Sequence, residues 1–430
     1  MEQTEGQFEL EAVPAKLWNR DFSLVIIGQV ISIFGNMVLS FALPLYVLSI
    51  SESPALFGLV LGLPYISLLV MSPIGGIMAD RLKKQRIMFW LDLTTTVIIV
   101  LYMATRGLFV SAVPIVIVKL MALNAIQGMY MPAVQASVPA LVPSDKLIPA
   151  NSAVTIVNML ANMVAPAVAG VLFGRFGLTP ILLISAVCFG ITAIMDLLIR
   201  IPFKKQSSPG SVAQMVISDM SQSFRFIVKE KPILVKSAGI MFFVNLSLVS
   251  LLFVGLPVLI TQHLGMSMAM VGLNQSVMMV GGLLGGIVAG ALGTRLTMRK
   301  LHLPLLAISL FLLPMGLVFM FDTSAIMAYA TITAMGALIF VAAQMCSIPL
   351  IAFIQKETPT ELIGKVMSIM LILPFLASAL GILFFGMLFE RLAGLPWVIV
   401  FAVVLVSAII AVYTRRQFRR GVDSESEKTE

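Results

Sequence analysis

Gly75-Gly76-Ile77-Met78-Ala79-Asp80-Arg81-Leu82-Lys83-Lys84-Gln85-Arg86 closes one long apolar run and opens the next. Small residues end the first run, an acid stands at its edge, and four cations follow within six residues. The flanking runs are each about 20 residues long, enough to cross a hydrocarbon core as helix. A short basic turn between two such runs is a helical hairpin with its bend at a membrane surface.

The rest of the chain repeats this texture. Of 430 residues, 59% are hydrophobic and 11% charged, against roughly a quarter charged in a soluble domain; mean hydropathy is +1.05. The chain therefore reads as an all-α integral membrane protein. Its net charge of +8 lies in short loops, which sets orientation and argues against nucleic acid as a partner. Cys188 and Cys346 fall inside apolar runs and read as small hydrophobes rather than a crosslink. The acidic start, with Glu2, Glu5, Glu9 and Glu11, lacks the basic segment of a cleaved signal peptide, so the first span is expected to be retained.

Cutting at polar loops predicts twelve spans, at 22–49, 54–79, 87–105, 112–138, 151–174, 180–201, 233–261, 268–292, 302–321, 325–354, 362–389 and 395–414. An even number places both termini on one side. With that side taken as cytoplasmic, it receives 24 of the 28 Lys and Arg residues, the asymmetry of the positive-inside rule. A multi-pass protein of the cell membrane with cytoplasmic termini is expected.

The longest polar stretch divides the spans six and six. The expected organisation is a first bundle at 1–201, a linker at 202–232, a second bundle at 233–414 and a cytoplasmic tail at 415–430. Within the linker Val212, Val216, Met220, Phe224 and Ile227 share a helical stripe, which reads either as an amphipathic helix on the membrane surface or as a docked loop. Features recur across it at a near-constant offset: Leu43-Pro44 with Leu256-Pro257, Gly75 to Ala79 with Gly285 to Ala289, Pro143-Ser144-Asp145 with Pro359-Thr360-Glu361, and Pro166 with Pro374. Four matches in order predict two parallel repeats about an axis along the membrane normal. Prolines at 44, 64, 114, 166, 257, 314 and 374 should bend helices. Gly282, Gly286 and Gly290, with Gly281 and Gly285 beside them, should clear a stripe for close helix approach.

The opening stretch resembles the signature loop of the major facilitator superfamily, Gly-x-Leu-Ala-Asp-Arg-x-Gly-Arg-Lys, through Gly76, Ala79, Asp80, Arg81 and the basic residues Lys84 and Arg86. It departs at Lys83, where the family has a second glycine, and in the second half, where Gly290 stands in place of the acid. Physically, Gly76 is expected to permit close packing, and Asp80 at a membrane boundary needs cationic or dipolar partners. The resemblance implies a contact between Asp80 and the start of span 11. That start, Thr358-Pro359-Thr360-Glu361, reads as a capping box with proline at the first helical position. Such a contact would join the halves on the cytoplasmic side and break when that side opens.

Two further stretches are similar to family motifs. Asn124-Ala125-Ile126-Gln127-Gly128 in span 4 matches Arg-x-x-Gln-Gly without its arginine, and Ala165-Pro166-Ala167-Val168-Ala169-Gly170 in span 5 keeps the proline and last glycine of the antiporter motif. The balance is similar to the macrolide-efflux and enterobactin-exporter branch. The resemblance implies a monomeric secondary transporter exporting small apolar or amphipathic compounds, with protons as coupling ion. Transport of a siderophore or lysophospholipid, nutrient uptake, and a non-transporting sensor are the alternatives.

Charges inside spans are candidates for coupling. Asp92 reads as a protonatable group or a hydrogen-bond partner between helices, Lys119 as snorkelling outward or facing the cavity, and Asp196 as a helix pair with Arg200 four residues on. Spans 1, 4, 7 and 10 line the cavity in the family, which makes Gln29, Asn36, Asn124, Gln127, Asn245 and Gln344 candidate substrate contacts. No phosphate-binding Gly-x-x-x-x-Gly-Lys loop is present, and His263 and His302 form no metalloprotease motif. Neither an enzyme, nor a cofactor, nor a metal site is expected.

Overall fold

The computed structural model describes residues 17–105, 113–202, 224–321, 323–359 and 362–426. Twelve of its helices are long and apolar enough to cross a membrane, as the sequence predicts. They are α1 (Arg20–Ser51), α2 (Pro54–Arg81), α3 (Lys84–Thr105), α4 (Val113–Leu141), α5 (Leu147–Phe176), α6 (Leu178–Leu198), α7 (Pro232–His263), α8 (Met268–Leu292), α9 (His302–Met320), α10 (Ala325–Glu357), α11 (Ile363–Arg391) and α12 (Pro396–Ser426). Large apolar side chains such as Val118, Ile194, Leu310 and Leu405 stay exposed in mid-span, because lipid accepts the same residues that the interior does.

Turns between spans are short and follow local chemistry. Ser53 caps α2, accepting from Leu56 N at 3.2 Å, with Pro54 in the first helical position. A single glycine, Gly177, links α5 to α6 at φ 73° and ψ −163°, a conformation closed to residues with a Cβ. The prolines at 44, 64, 166, 314 and 374 lie inside helices as expected, whereas Pro114 occupies the first turn of α4, where it bends nothing. α7 widens into π turns at Asn245–Val249, Leu251–Gly255 and Leu259–His263. Beside them Ser250 Oγ reaches Asn245 O at 3.2 Å and Ser378 O of α11 at 3.3 Å.

The packing obeys the repeat. In the first half α2 packs on α4, α3 on α6, and α1 on α5 and α6; in the second α8 packs on α10, α9 on α12, and α7 on α11 and α12. The halves meet through α2 against α11 and α5 against α8, two contacts that exchange when the halves are swapped. The two pseudo-symmetric six-helix bundles are thus built on one contact plan.

Rotational phase corrects two readings of glycine. Gly76 meets nothing within 4 Å, while a methyl on its neighbour Gly75 would stand 2.5 Å from Met129 Cα of α4. Likewise Gly286 and Gly290 are open, and Gly282 has only looser side-chain neighbours; a methyl on Gly285 would stand 2.6 Å from Val341 O of α10, with Gly281 pressed on Ala337. One residue turns a helix by about 100°, so the packed stripe is Gly281 with Gly285. Gly75 against Met129 and Gly285 against Val341 are the same contact in the two repeats.

The capping box at span 11 is also corrected. Thr358 ends α10, its hydroxyl donating to Ile354 O at 2.7 Å, and α11 begins at Ile363 without a side-chain cap. A threonine that satisfies the carbonyl four residues back closes the preceding helix, which leaves Pro359 outside both. Glu361 and most of the linker stripe lie outside the described residues. Of that stripe Phe224 is exposed, whereas Ile227 is buried with Phe226 against α7, α10 and α11.

Candidate transport site

The start of α1, the end of α6, the start of α7 and the end of α12 share one end of the molecule, called here the terminal face; the other is the opposite face. Near the opposite face the two halves share a core: Leu45, Leu48 and Phe57 pack among α7, α8 and α11 residues including Leu256, Val258, Ile382 and Phe389. Near the terminal face the cores are separate, one around Phe22, Leu141 and Ile199 and another around Leu234, Ile354 and Val366. Further inward, Tyr65 of α2 and Phe375 of α11 stand with ring centroids 6.3 Å apart.

Glycines bring the backbones together at the opposite face. A methyl on Gly58 would lie 2.8 Å from Ile382 O and 3.1 Å from Gly386 Cα, and one on Gly170 would lie 2.8 Å from Met268 O and 3.0 Å from Gly272 Cα. Gly58 and Gly272 are repeat mates, as are Gly170 and Gly386. One turn inward, a methyl on Gly62 would lie 3.0 Å from Leu383 and 3.1 Å from Ala379 O, and Ser276 Oγ accepts from Ala167 N at 3.1 Å. Glu390 accepts from the Ser53 hydroxyl and, at 3.0 Å, from Ala55 N, while Gln262 Nε2 donates to Glu52 O at 2.9 Å. Pro166 and Gly170 of the antiporter-like stretch therefore stand in this seal.

Within the first bundle a pocket lies between α1, α4 and α5. One lobe of about 380 Å³ is lined by Gln29, Met131, Val134, Gln135, Asn151, Val154, Thr155 and Asn158. A wider mouth of about 590 Å³ shares Asn151 and Thr155 with it. Its amide and hydroxyl groups offer hydrogen bonds without charge, among apolar walls.

The predicted substrate contacts divide. Gln29 lines the cavity and donates through Nε2 to the Tyr130 hydroxyl at 3.2 Å. Asn36 is buried inside α1. Asn124 donates to Leu120 O of its own helix at 3.0 Å, and Gln127 and Gln344 are half-buried on α4 and α10. Asn245 donates to Met241 O at 2.8 Å, accepts from Ser378 Oγ at 3.3 Å, and lines a separate void of about 130 Å³ inside the second bundle. Sequence reasoning misses Asn151, Thr155 and Asn158; their signal is a run of amides on α5 facing one way.

The charges are placed differently from expectation. Lys119 neither snorkels nor faces the cavity: it is 4% exposed, with Nζ 4.1 Å from the Tyr102 ring centroid, a cation-π contact. Asp92 is buried between α3 and α6 and hydrogen-bonded to Thr192. Asp196 does not pair with Arg200. α6 ends at Leu198, so Arg200 falls outside the helix, its backbone N–H donating to Asp21 Oδ1 at 3.0 Å, while Asp196 turns inward toward Asp92. Around the turn between α2 and α3, Arg81 at the end of α2 and Arg86 in the first turn of α3 are exposed and Lys84, the first residue of α3, is half-buried; the Asp80 side chain lies outside the described residues. His263 meets Ala393 O at 2.6 Å and His302 meets Arg299 O at 2.9 Å, and no acid, histidine or cysteine cluster that could hold a metal occurs among the described residues.

Two repeats of six spans, packed on each other through α2 against α11 and α5 against α8 and keeping separate cores near the terminal face, define a membrane transporter. The family model for the Major Facilitator Superfamily matches residues 25–381, and the chain belongs to that family. Macrolide efflux protein A of Streptococcus pyogenes is 25% identical over 191 residues, 43% of this chain and 46% of that protein, so the chain spans just under half the length of the curated relative it matches. Among solved structures, the nucleoside transporter NupG superposes with a TM-score of 0.72 at 14% identity, covering 93% of this chain and 99% of that one. A bacterial homolog of the human lysosomal transporter Spinster, in an inward-facing and unoccupied conformation, gives 0.68 at 15% identity over 93% and 97%. A D-xylose-proton symporter gives 0.66 at 13% over 91% and 96%. At these identities the likenesses establish the fold alone.

Proposed function

We propose that the protein is a secondary active exporter of small apolar or amphipathic compounds, coupled to protons and working by alternating access. The terminal face is assigned to the cytoplasm from the Lys and Arg distribution, which makes the described state open inward. The halves are assigned as 1–201 and 233–414, joined by 202–232 and followed by the tail at 415–430.

The observation that carries this reading is the seal. It consists of two symmetry-related glycine contacts that a rocking motion can undo as units, and the pocket in the first bundle has walls that mix apolar side chains with uncharged amides. Such a lining suits uncharged or amphipathic cargo. Export is supported by the macrolide-efflux relative and by Pro166 and Gly170, and the opposite, outward-open state would place Asp80, Arg81, Lys84 and Arg86 against the start of α11. Protons are the proposed driving ion, with Asp92 and Lys119 the candidates to carry them.

Proteoliposomes loaded with a pH-sensitive dye test this directly. Adding an exported macrolide should drive proton movement opposite to substrate, and a protonophore should abolish accumulation. Transport that survives the protonophore with no proton flux would remove antiport. Absence of any solute movement under any gradient would favour the sensor reading.

A further inference from the structure

The pocket lined by Gln29 borders a buried polar compartment. Behind Gln29, between α1, α3, α4 and α6, lie Asp92, Asp196, Tyr130, Thr192 and Ser32, all 5% exposed or less. Gln29 Nε2 donates to the Tyr130 hydroxyl, which also hydrogen-bonds Ser32. Both carboxyls lie within electrostatic reach of that hydroxyl and of each other. Thr192 hydrogen-bonds Asp92, yet its hydroxyl also contacts Phe189 O at 3.0 Å. Three acceptor oxygens remain without a hydrogen-bond partner in this compartment: Asp92 Oδ2, Asp196 Oδ2 and Gln29 Oε1.

No cation relieves the pair among the described residues. Lys119 stands eleven residues further out on α4, about 16 Å along the helix, over Tyr102. Arg200 lies beyond the end of α6. α1 contributes only Gln29 and Ser32 here, α3 Asp92, α4 Tyr130 and α6 Asp196 with Thr192. Two buried carboxylates without a cationic partner in one apolar bundle carry a large desolvation and repulsion cost, and the unpartnered oxygens mark where a positive charge would be stabilised. The compartment holds two acids, and no group of three or more acids, histidines or cysteines that could hold a metal ion occurs among the described residues.

We propose that Asp92 and Asp196 together form a proton-binding site that exchanges with the cavity through Tyr130 and Gln29. This rests on the proton-coupled reading above and assigns to it a pair, where the sequence offered Asp92 singly. In the loading step a hydronium ion in the cavity gives a proton to the Tyr130 oxygen as the hydroxyl passes its own proton to a carboxylate. The sum is carboxylate plus hydronium giving carboxylic acid plus water, with no redox change. Because α1 and α4 line the cavity while α3 and α6 carry the acids, occupancy of the pair bears on how these four helices pack. Substrate in the cavity lobe would meet Gln29 at the same point where the proton enters.

Infrared difference spectroscopy of the full chain in lipid, stepped in pH and in deuterated buffer, reads the site directly. The wild type should show a protonated-carboxyl stretch that responds to pH, and Asp92→Asn and Asp196→Asn should each remove it. Tyr130→Phe, which deletes one hydroxyl and keeps the ring packed, should leave the band in place and slow its hydrogen–deuterium exchange at least tenfold. A band absent from the wild type, or unchanged in both Asn variants, overturns the site; exchange as fast in Tyr130→Phe as in wild type overturns the route. If the band behaves as expected while proteoliposomes show no substrate-linked proton flux, the antiport reading fails and the site stands. Flux that persists in both Asn variants moves coupling elsewhere.

Discussion

Replacing Gly272 by leucine should prop the opposite face open and reduce transport to a few per cent or less. The first atom of the new side chain would fall against the Pro166 carbonyl and 3.1 Å from Gly170 Cα, both backbone and both held in helix, so neither can swing aside. Overpacking a tight contact costs about 1–3 kcal/mol in an ordinary core, and a bias of about 3 kcal/mol shifts a two-state population more than a hundredfold. Spin labels at Phe176 and Phe321, exposed on the two halves at the opposite face, should report distances several ångströms longer in the variant. Gly286→Leu is the matched control, since that position has nothing within 4 Å; it should leave the distribution unchanged. An unchanged distribution in Gly272→Leu would mean that the α5 and α8 contact is not a seal.

Glu390→Gln should loosen the same face by a smaller amount. The Glu390 carboxylate accepts from Ser53 and Ala55 N at the start of α2, where the exposed N–H groups of a helix favour negative charge. Glutamine keeps the shape and one acceptor but loses the charge, removing about 1 kcal/mol at a solvent-exposed position. The outward-open population should rise about fivefold on the same label pair, with the fold intact. A distribution identical to wild type would reduce the contact to an incidental surface bond.

Spans and repeats are legible because hydrophobic length and internal offset are properties of the sequence itself. Rotational phase is not. A helix apolar all round gives no amphipathic stripe to show which side faces a neighbour, which is why pattern alone selects Gly76 in place of Gly75 and centres the stripe on 282/286/290 with Gly281 and Gly285 only beside it. The seal glycines carry a usable signal: Gly58 with Gly272, and Gly170 with Gly386, recur at the offset of the other matches. A single glycine is too sparse a match to count until the contacts pair it.

The misread polar residues share one cause, the assumed end of a helix. Asp196 and Arg200 would pair only if α6 continued past Leu198, and Thr358 could cap α11 only if that helix began at Pro359 rather than at Ile363. Helix ends are the least certain feature of a pattern reading. Asp92 is recognisable from sequence as an acid within a span, but Asp196, proposed to share its site, lies 104 positions away on another helix, and only packing brings the two into one compartment.

Side-selective labelling of the cavity wall tests alternating access most directly. With Cys188 and Cys346 replaced by serine, a single cysteine at Thr155 should react with a membrane-impermeant maleimide only from the cytoplasmic side at rest. Under an inward proton gradient with exported substrate present, the same cysteine should become reactive from outside. Transport that proceeds while Thr155→Cys never becomes accessible from outside would contradict the account.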